Sequence, residues 1–348
     1  MSSTQTRPVP GLRLRPYSGE PDLAAIARIE NLEAEADRVP ERTTVGALAA
    51  RFGNPGEHFE PGRDVTVAEI DSQPVAVAMR EWVDTTDGAR EYRADGAVDP
   101  AWRRHGVGAA LLAENERRLG ALAASHATSR PRVLGSWSGD SQVGDAAVLR
   151  AAGYEAVRWF FDMNRPNLDA VPDLPLPERL ELRPITRDSA RAVWFASIDA
   201  FRDHWGGFDP SEEHLQSWLD DPTTDLSLWL IAFDGDEVAG GVINAIDPAE
   251  NAALGIQRGW LSSVFTRRAW RQRGLARGLI ARSLVLLRER GMTTAGLGVD
   301  ADNQSGALGL YERLGFAVGY RSTAWRKPLD PAVPSAAVAD AGRAEVHR

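Results

Sequence analysis

The chain has 348 residues, 43% hydrophobic and 26% charged, with 49 acidic against 40 basic side chains and a net charge of −9. That length and balance suit two soluble domains and exclude a general nucleic-acid binder. There is no cysteine, and the six histidines form no His-x-x-x-His pair, so disulfides, a cysteine acyl intermediate and ordinary zinc ligation are excluded and no metal is expected.

The chain opens on a polar lead, residues 1–10, with no apolar signal-peptide core, and no run reaches the ~18 apolar residues of a membrane span. A cytoplasmic protein without a membrane partner is the expectation. Leu12-Arg-Leu-Arg-Pro16 then reads as a short strand, followed by a helical pattern over residues 22–35. Two alternating runs, residues 65–70 and 75–78, flank a turn at Asp71-Ser-Gln-Pro and predict a hairpin. Ala101-Trp102-Arg103-x-x-Gly106-x-Gly108 leads into a helix with Val107, Leu111, Leu112 and Leu119 on one side, and Gly120 is expected near its C-terminal cap. A further strand is expected near residues 132–137.

Residues 164–178 carry prolines at 166, 172, 175 and 177, a composition that predicts a linker. Beyond it the pattern restarts. Leu180-Glu-Leu-Arg-Pro184 repeats the opening strand 168 positions on, and Ala269-Trp270-Arg271-x-x-Gly274-x-Ala276 repeats the loop at the same offset. Two markers with one offset indicate a duplicated domain. The second copy has a helix over residues 187–201, a hairpin over 228–233 and 238–244, a strand over 260–266 and a helix whose Leu275, Leu279, Ile280 and Leu287 match the first, ending near Gly291. A last strand is expected near 294–299. Each copy therefore reads as α/β, a mixed α+β sheet with helices on both faces. The expected organisation is a flexible lead 1–10, a first domain 11–165, a Pro-rich linker 166–178, a second domain 179–328 and a disordered tail 329–348.

The loop at Arg271-Gln272-Arg273-Gly274-Leu275-Ala276 joins a strand to a helix, which makes it an anion site. The first amides of a helix lack intrahelical partners and carry the positive end of its dipole. Gly274 and Ala276 permit close approach, and Arg271, Arg273 and Arg277 add charge. No Gly-x-x-x-x-Gly-Lys-[Ser/Thr] run occurs, and the twin loop Gly106-Val107-Gly108-Ala109-Ala110 continues with Leu111 instead of completing a dinucleotide fingerprint.

The loop resembles the pyrophosphate loop of the GNAT superfamily of N-acetyltransferases, [Gln/Arg]-x-x-Gly-x-[Gly/Ala] between strand and helix. Asp302-Asn303-Gln-Ser-Gly-Ala-Leu-Gly-Leu-Tyr311-Glu-Arg-Leu-Gly-Phe316 is similar to the second signature of the same family. The resemblance implies two tandem GNAT-like domains and acetyl-CoA as donor. It implies that Val264, Phe265, Thr266, residues 271–277 and Asn303 bind the cofactor and that Tyr311 protonates the departing thiolate, as a phenol of pKa ~10 can while the C–S bond breaks. In the first copy it implies Val98, Arg103, Gly106 and Gly108 at the matching cofactor positions. There, aligning Gly153-Tyr154 with Gly315-Phe316 puts Leu149 opposite Tyr311 and Ser141 opposite Asn303, so the first domain is not expected to catalyse. Whether it binds cofactor or has a vestigial loop stays open.

The expected activity is direct acetyl transfer to an amine of a small molecule by the second domain. A non-catalytic acyl-CoA-binding regulator or scaffold and a protein or peptide acetyltransferase are the alternatives. For the acceptor, Asp203, His204 and Trp205 lie where this family shapes its substrate pocket, with Asp247 and Glu250 as further candidates for a base.

Overall fold

The structure is a computed structural model that describes residues 8–53, 55, 58–202, 204–205, 211–221, 224–302 and 306–330. It divides into two compact units, Met1–Trp159 with Trp205–Phe208 and Ser322–Arg348, and Phe160–His204 with Asp209–Arg321.

In the first unit β1 (Leu12–Pro16) precedes three helices, α1 (Leu23–Asp37), α2 (Val45–Gly53) and the one-turn α3 (Pro61–Asp64). Next come β2 (Val65–Ile70), β3 (Gln73–Asp84), β4 (Arg90–Val98), α4 (Val107–Ser125), β5 (Arg132–Gly139), α5 (Val143–Ala151) and the start of β6 (Glu155–Arg165). Strands β1 to β4 form an antiparallel meander, and β5 joins β4 in parallel through Arg90–Arg93 against Arg132–Gly135. Helices α1 and α2 cover one face through Leu23, Ile26, Ile29, Leu48 and Phe52. Leu111 and Leu119 of α4 are buried in the sheet's other clusters. Gly120 does not cap α4, which runs five residues beyond it to Ser125. A glycine inside a helix costs only about 1 kcal/mol, and Leu119 and Ala123, both buried, hold the following turn.

The second unit has β7 (Glu181–Arg183), α6 (Arg187–Phe201), α7 (Glu212–Asp220), β8 (Leu230–Asp234), β9 (Glu237–Ala245), α8 (Pro248–Leu254), β10 (Arg258–Thr266), α9 (Leu275–Glu289), β11 (Thr294–Asp300), α10 (Ala307–Arg313) and the start of β12 (Ala317–Pro328). Thr186 starts α6 with a capping box to Ser189. The meander β7-β8-β9-β10 is antiparallel, β11 joins β10 in parallel, and β6 flanks β11 antiparallel through Phe160–Arg165. Five large side chains of α9, Leu275, Leu279, Ile280, Leu284 and Leu287, are almost wholly buried in its core, each contributing about 1.5–3 kcal/mol. Gly291, at φ 84°, follows the end of α9 as expected.

Two features differ from the sequence expectation. The second domain is expected to run to residue 328, but the second unit ends at Arg321: Ser322–Pro328 of β12 pairs antiparallel with Gly139–Val133 of β5 and belongs to the first unit. Its Trp325 donates to Ser138 Oγ at 2.9 Å, and buried Arg326 reaches Glu91 and Asp87, both at 2.5 Å. The Pro-rich stretch is also part of a core and not a free linker. Leu168 is buried in the second unit's core with Val171, Leu174 and Leu176 packed on it, and Gly278 of α9 leaves room for the Pro175 carbonyl, 3.0 Å from where a Cβ would stand. The prolines have no backbone N–H to satisfy in a ladder, so this segment covers a helix face without being helix or strand. Residues 1–7 of the lead and 331–348 of the tail lie outside the described residues.

Candidate active site

Strand β10 does two things the site needs. It ladders with β11 only through Arg258–Trp260 against Thr294–Gly296, after which the two strands part and leave one edge of β10 from Leu261 onward without a partner on β11. It also carries a bulge against β9 between Leu261 and Ser263, which re-aims the following residues. Before it Leu261 is in the α9-side core; after it Val264 packs there while Phe265 turns to the α6 side. The adjacent Ser262-Ser263 breaks strand alternation, the one trace of this bulge in the sequence.

Beyond Thr266 the chain is pinned before α9 begins. Arg267 N–H donates to Ala239 at 3.0 Å, and buried Trp270 gives its indole N–H to Asp234 at 3.1 Å. Gln272 and Gly274 both take left-handed backbone conformations, φ 60° and 84°, and no side chain caps the helix at Gly274. Nothing lies within 4 Å of a Cβ built on Gly274, and the first amides of α9, those of Leu275, Ala276 and Arg277, have no intrahelical acceptor. Arg271 is tied back to the carbonyls of Thr266 at 3.0 Å and Ala200 at 2.9 Å, while Arg273 and Arg277 are exposed and without an ion-pair partner among the described residues. A diphosphate fits this cradle by charge and by space.

Tyr311 lies on α10 in the same core cluster as Leu275, Val299 and, at its edge, Val264. Its ring meets Phe316 edge to face at 6.1 Å, and the side chain is buried. Burial pushes the phenol up to about 12, so it holds its proton throughout the neutral range. Asn303 lies outside the described residues.

The acceptor candidates are not gathered into one place. Asp203 is outside the described residues. The His204 ring packs edge-on against Phe201 at 4.7 Å. Trp205 groups with the first unit, under the Arg326 guanidinium at 4.4 Å and beside Trp137 at 6.4 Å, which is a packing role. Asp247 caps α8 by accepting from Ala249 and Glu250 amides at 2.8 and 2.9 Å. Glu250 accepts from Arg258 at 2.9 Å and from the Trp260 indole at 3.0 Å. That bond holds Trp260 across Gly296, where β10 and β11 separate. Nothing in residue spacing singled Trp260 out.

In the first unit the loop backbone is the same but its surroundings are not. Gly106 has φ 88° and Arg104 φ 66°, matching Gly274 and Gln272. Val98 N–H donates to Glu33 at 3.0 Å, and Arg103 is held by Asp37 at 2.5 and 2.8 Å and by Glu33 at 3.3 Å. Burial, then the nearby charge of Asp145, raises the Glu33 carboxyl to about 7. Val9 stands 3.3 Å from where a Cβ on Gly106 would be, while Gly108 has only Val98 near it at 3.8 Å. Leu149, opposite Tyr311, is a buried core residue.

Comparison with known proteins bears on the family and the fold. The model of the acetyltransferase (GNAT) family matches residues 193–316. A mycothiol acetyltransferase of Geodermatophilus obscurus is 27% identical, covering 88% of this chain and 94% of its own. One from Clavibacter michiganensis subsp. michiganensis is 31% identical over 72% of this chain and 76% of its own. The fold matches the crystal structure of a GCN5-related N-acetyltransferase from Sphaerobacter thermophilus with a TM-score of 0.72 at 24% identity, over 93% of this chain and 98% of that one. Among the described residues no helix is long and apolar enough to cross a membrane. On this likeness the chain belongs to the acetyltransferase (GNAT) family, and it is an acyltransferase with acetyl-CoA as its donor.

Proposed function

We propose that the second unit transfers the acetyl group of acetyl-CoA directly to an amine of a small molecule, with Tyr311 as the general acid. The observation that carries this reading is the contrast between the two loops. One backbone conformation occurs twice, and neither helix start is capped by a side chain, but only the second copy is open at its glycine and followed by a buried phenol. Gly274, Leu275, Ala276 and Arg277 would hold the diphosphate by their amides, helped by Arg271, Gln272 and Arg273 around the rim. The unladdered edge of β10 over Val264, Phe265 and Thr266 offers backbone groups to the pantetheine arm and to the thioester oxygen as negative charge grows there.

The amine nitrogen bonds to the acetyl carbon and the C–S bond breaks. Tyr311 gives its proton to the leaving sulfur, and the proton lost from the amine passes to water. The phenol must stay protonated until that moment, which its burial ensures. A small-molecule acceptor is favoured over a protein because the relatives matched along most of the chain are mycothiol acetyltransferases. Release of coenzyme A with a panel of small amines, set against lysine peptides, tests the reading. Turnover with peptides alone would replace it.

A further inference from the structure

We propose that the first unit carries an internal anion where the second takes a diphosphate, so that each chain binds one coenzyme A and not two. The inference rests on reading the loop before α9 as the cofactor loop. Both loops share their backbone, so the difference is in charge and occupancy. Residues 266–277 hold five arginines and no carboxylate, whereas 98–109 hold Arg103, Arg104 and Asp99, a net +1. The offset that pairs the loops sets Asp99 against Arg267, His105 against Arg273 and Ala109 against Arg277.

Arg104 is exposed and has no ion pair among the described residues, but Arg103, the counterpart of Arg271, is already satisfied. Asp37, at the end of α1, meets Arg103 with both oxygens at 2.8 and 2.5 Å, the fork-to-fork geometry a phosphate would use. Glu33, one turn earlier on the same face, accepts from Arg103 and from the Val98 amide together. Asp145 of α5 completes a trio of carboxylates whose ligand atoms lie within 4.8 Å of one another. Across the split between β4 and β5, Asp95 accepts from the Trp137 amide at 3.2 Å, so a carboxylate also occupies a backbone donor on the other wall. Strand β4 pairs with β3 without the register shift seen in β10. Val9 roofs Gly106, where the matching space at Gly274 is open. An entering diphosphate would have to expel Asp37 and then sit among like charges.

Calorimetric titration of the full chain with free coenzyme A tests this without any variant. One equivalent per chain is expected. The double variant R273A/R277A, at two exposed positions outside the core, should weaken that event about tenfold or more, the scale for losing hydrogen bonds to a charged group. Two equivalents would overturn the inference, as would a single event whose affinity the double variant leaves within about twofold. Absence of binding by the wild-type chain would instead remove the reading of the second loop, and this inference with it.

Discussion

Replacing Tyr311 by Phe tests the mechanism at a single atom. The ring is 7% exposed and packed on Phe316 and Leu314, and phenylalanine keeps all of that contact. The hydroxyl makes no hydrogen bond among the described residues, so stability should change by no more than about 0.5 kcal/mol. What is lost is the proton for the leaving sulfur. We expect kcat to fall by about 10²–10⁴ with the affinity for acetyl-CoA within about twofold, a barrier increase of about 2.7–5.4 kcal/mol. The chain has no cysteine, so a thiol reagent follows coenzyme A release without background from the enzyme. A Y311F enzyme within about threefold of wild type would refute the assignment. The pH profile gives a second check. With the phenol held near 12, its acid form persists through pH 10, so no loss of kcat from its ionisation should occur below that. A descending limb near 10 that vanishes in Y311F would show that burial does not protect the phenol.

Arg326, 3% exposed at its side chain, bridges Glu91 and Asp87; Arg326→Ala should cost about 3 kcal/mol in chemical denaturation, because it takes the counter-charge from Asp87 and leaves Glu91 only Arg93 at 3.0 Å, and a loss under 1 kcal/mol would refute that. Glu33 should make stability pH-dependent. Its carboxyl is raised from 4.5 to about 7 in the fold, so the stability it contributes is complete below pH 4.5 and is lost as pH rises through 7, about 3 kcal/mol in all. Glu33→Gln should flatten that decline between pH 5 and 8 in thermal melts; an unchanged slope would place the titration elsewhere. Gly274→Ala puts a side chain on a residue at φ 84°, with an expected cost of about 1–2 kcal/mol and weaker coenzyme A binding, checked by melting and calorimetry together. Unaltered values in both would show that the loop does not need its left-handed turn.

The parts of the molecule legible in the sequence are those set by neighbours in the chain. The Arg-x-x-Gly-x-Ala loop, its twin and the helices behind them depend on residues within about a dozen positions. Their backbones repeat to within a few degrees at Gly106 and Gly274. The strands β6 and β12 are not legible, because an alternating run does not tell which earlier or later strand it will join. Ser322–Pro328 pairs with residues 133–139, far earlier in the chain. Prolines at 172, 175 and 177 suggest a linker by composition, yet Leu168, Leu174 and Leu176 between and before them supply the apolar surface that binds the stretch to the second core.

The site divides the same way. Tyr311 and the amides before α9 follow from local pattern, but the state of the first loop does not. Glu33 and Asp37, four apart on α1, face Arg103 only because the fold lays α1 across the end of β4. A pattern that matches twice therefore predicts one backbone twice. It does not predict one ligand twice, since binding depends on net charge within a few ångströms, and that charge is delivered by residues the pattern does not contain. By this reasoning the two halves of the chain diverged less by altering the loop glycine than by bringing carboxylates to one copy and arginines to the other.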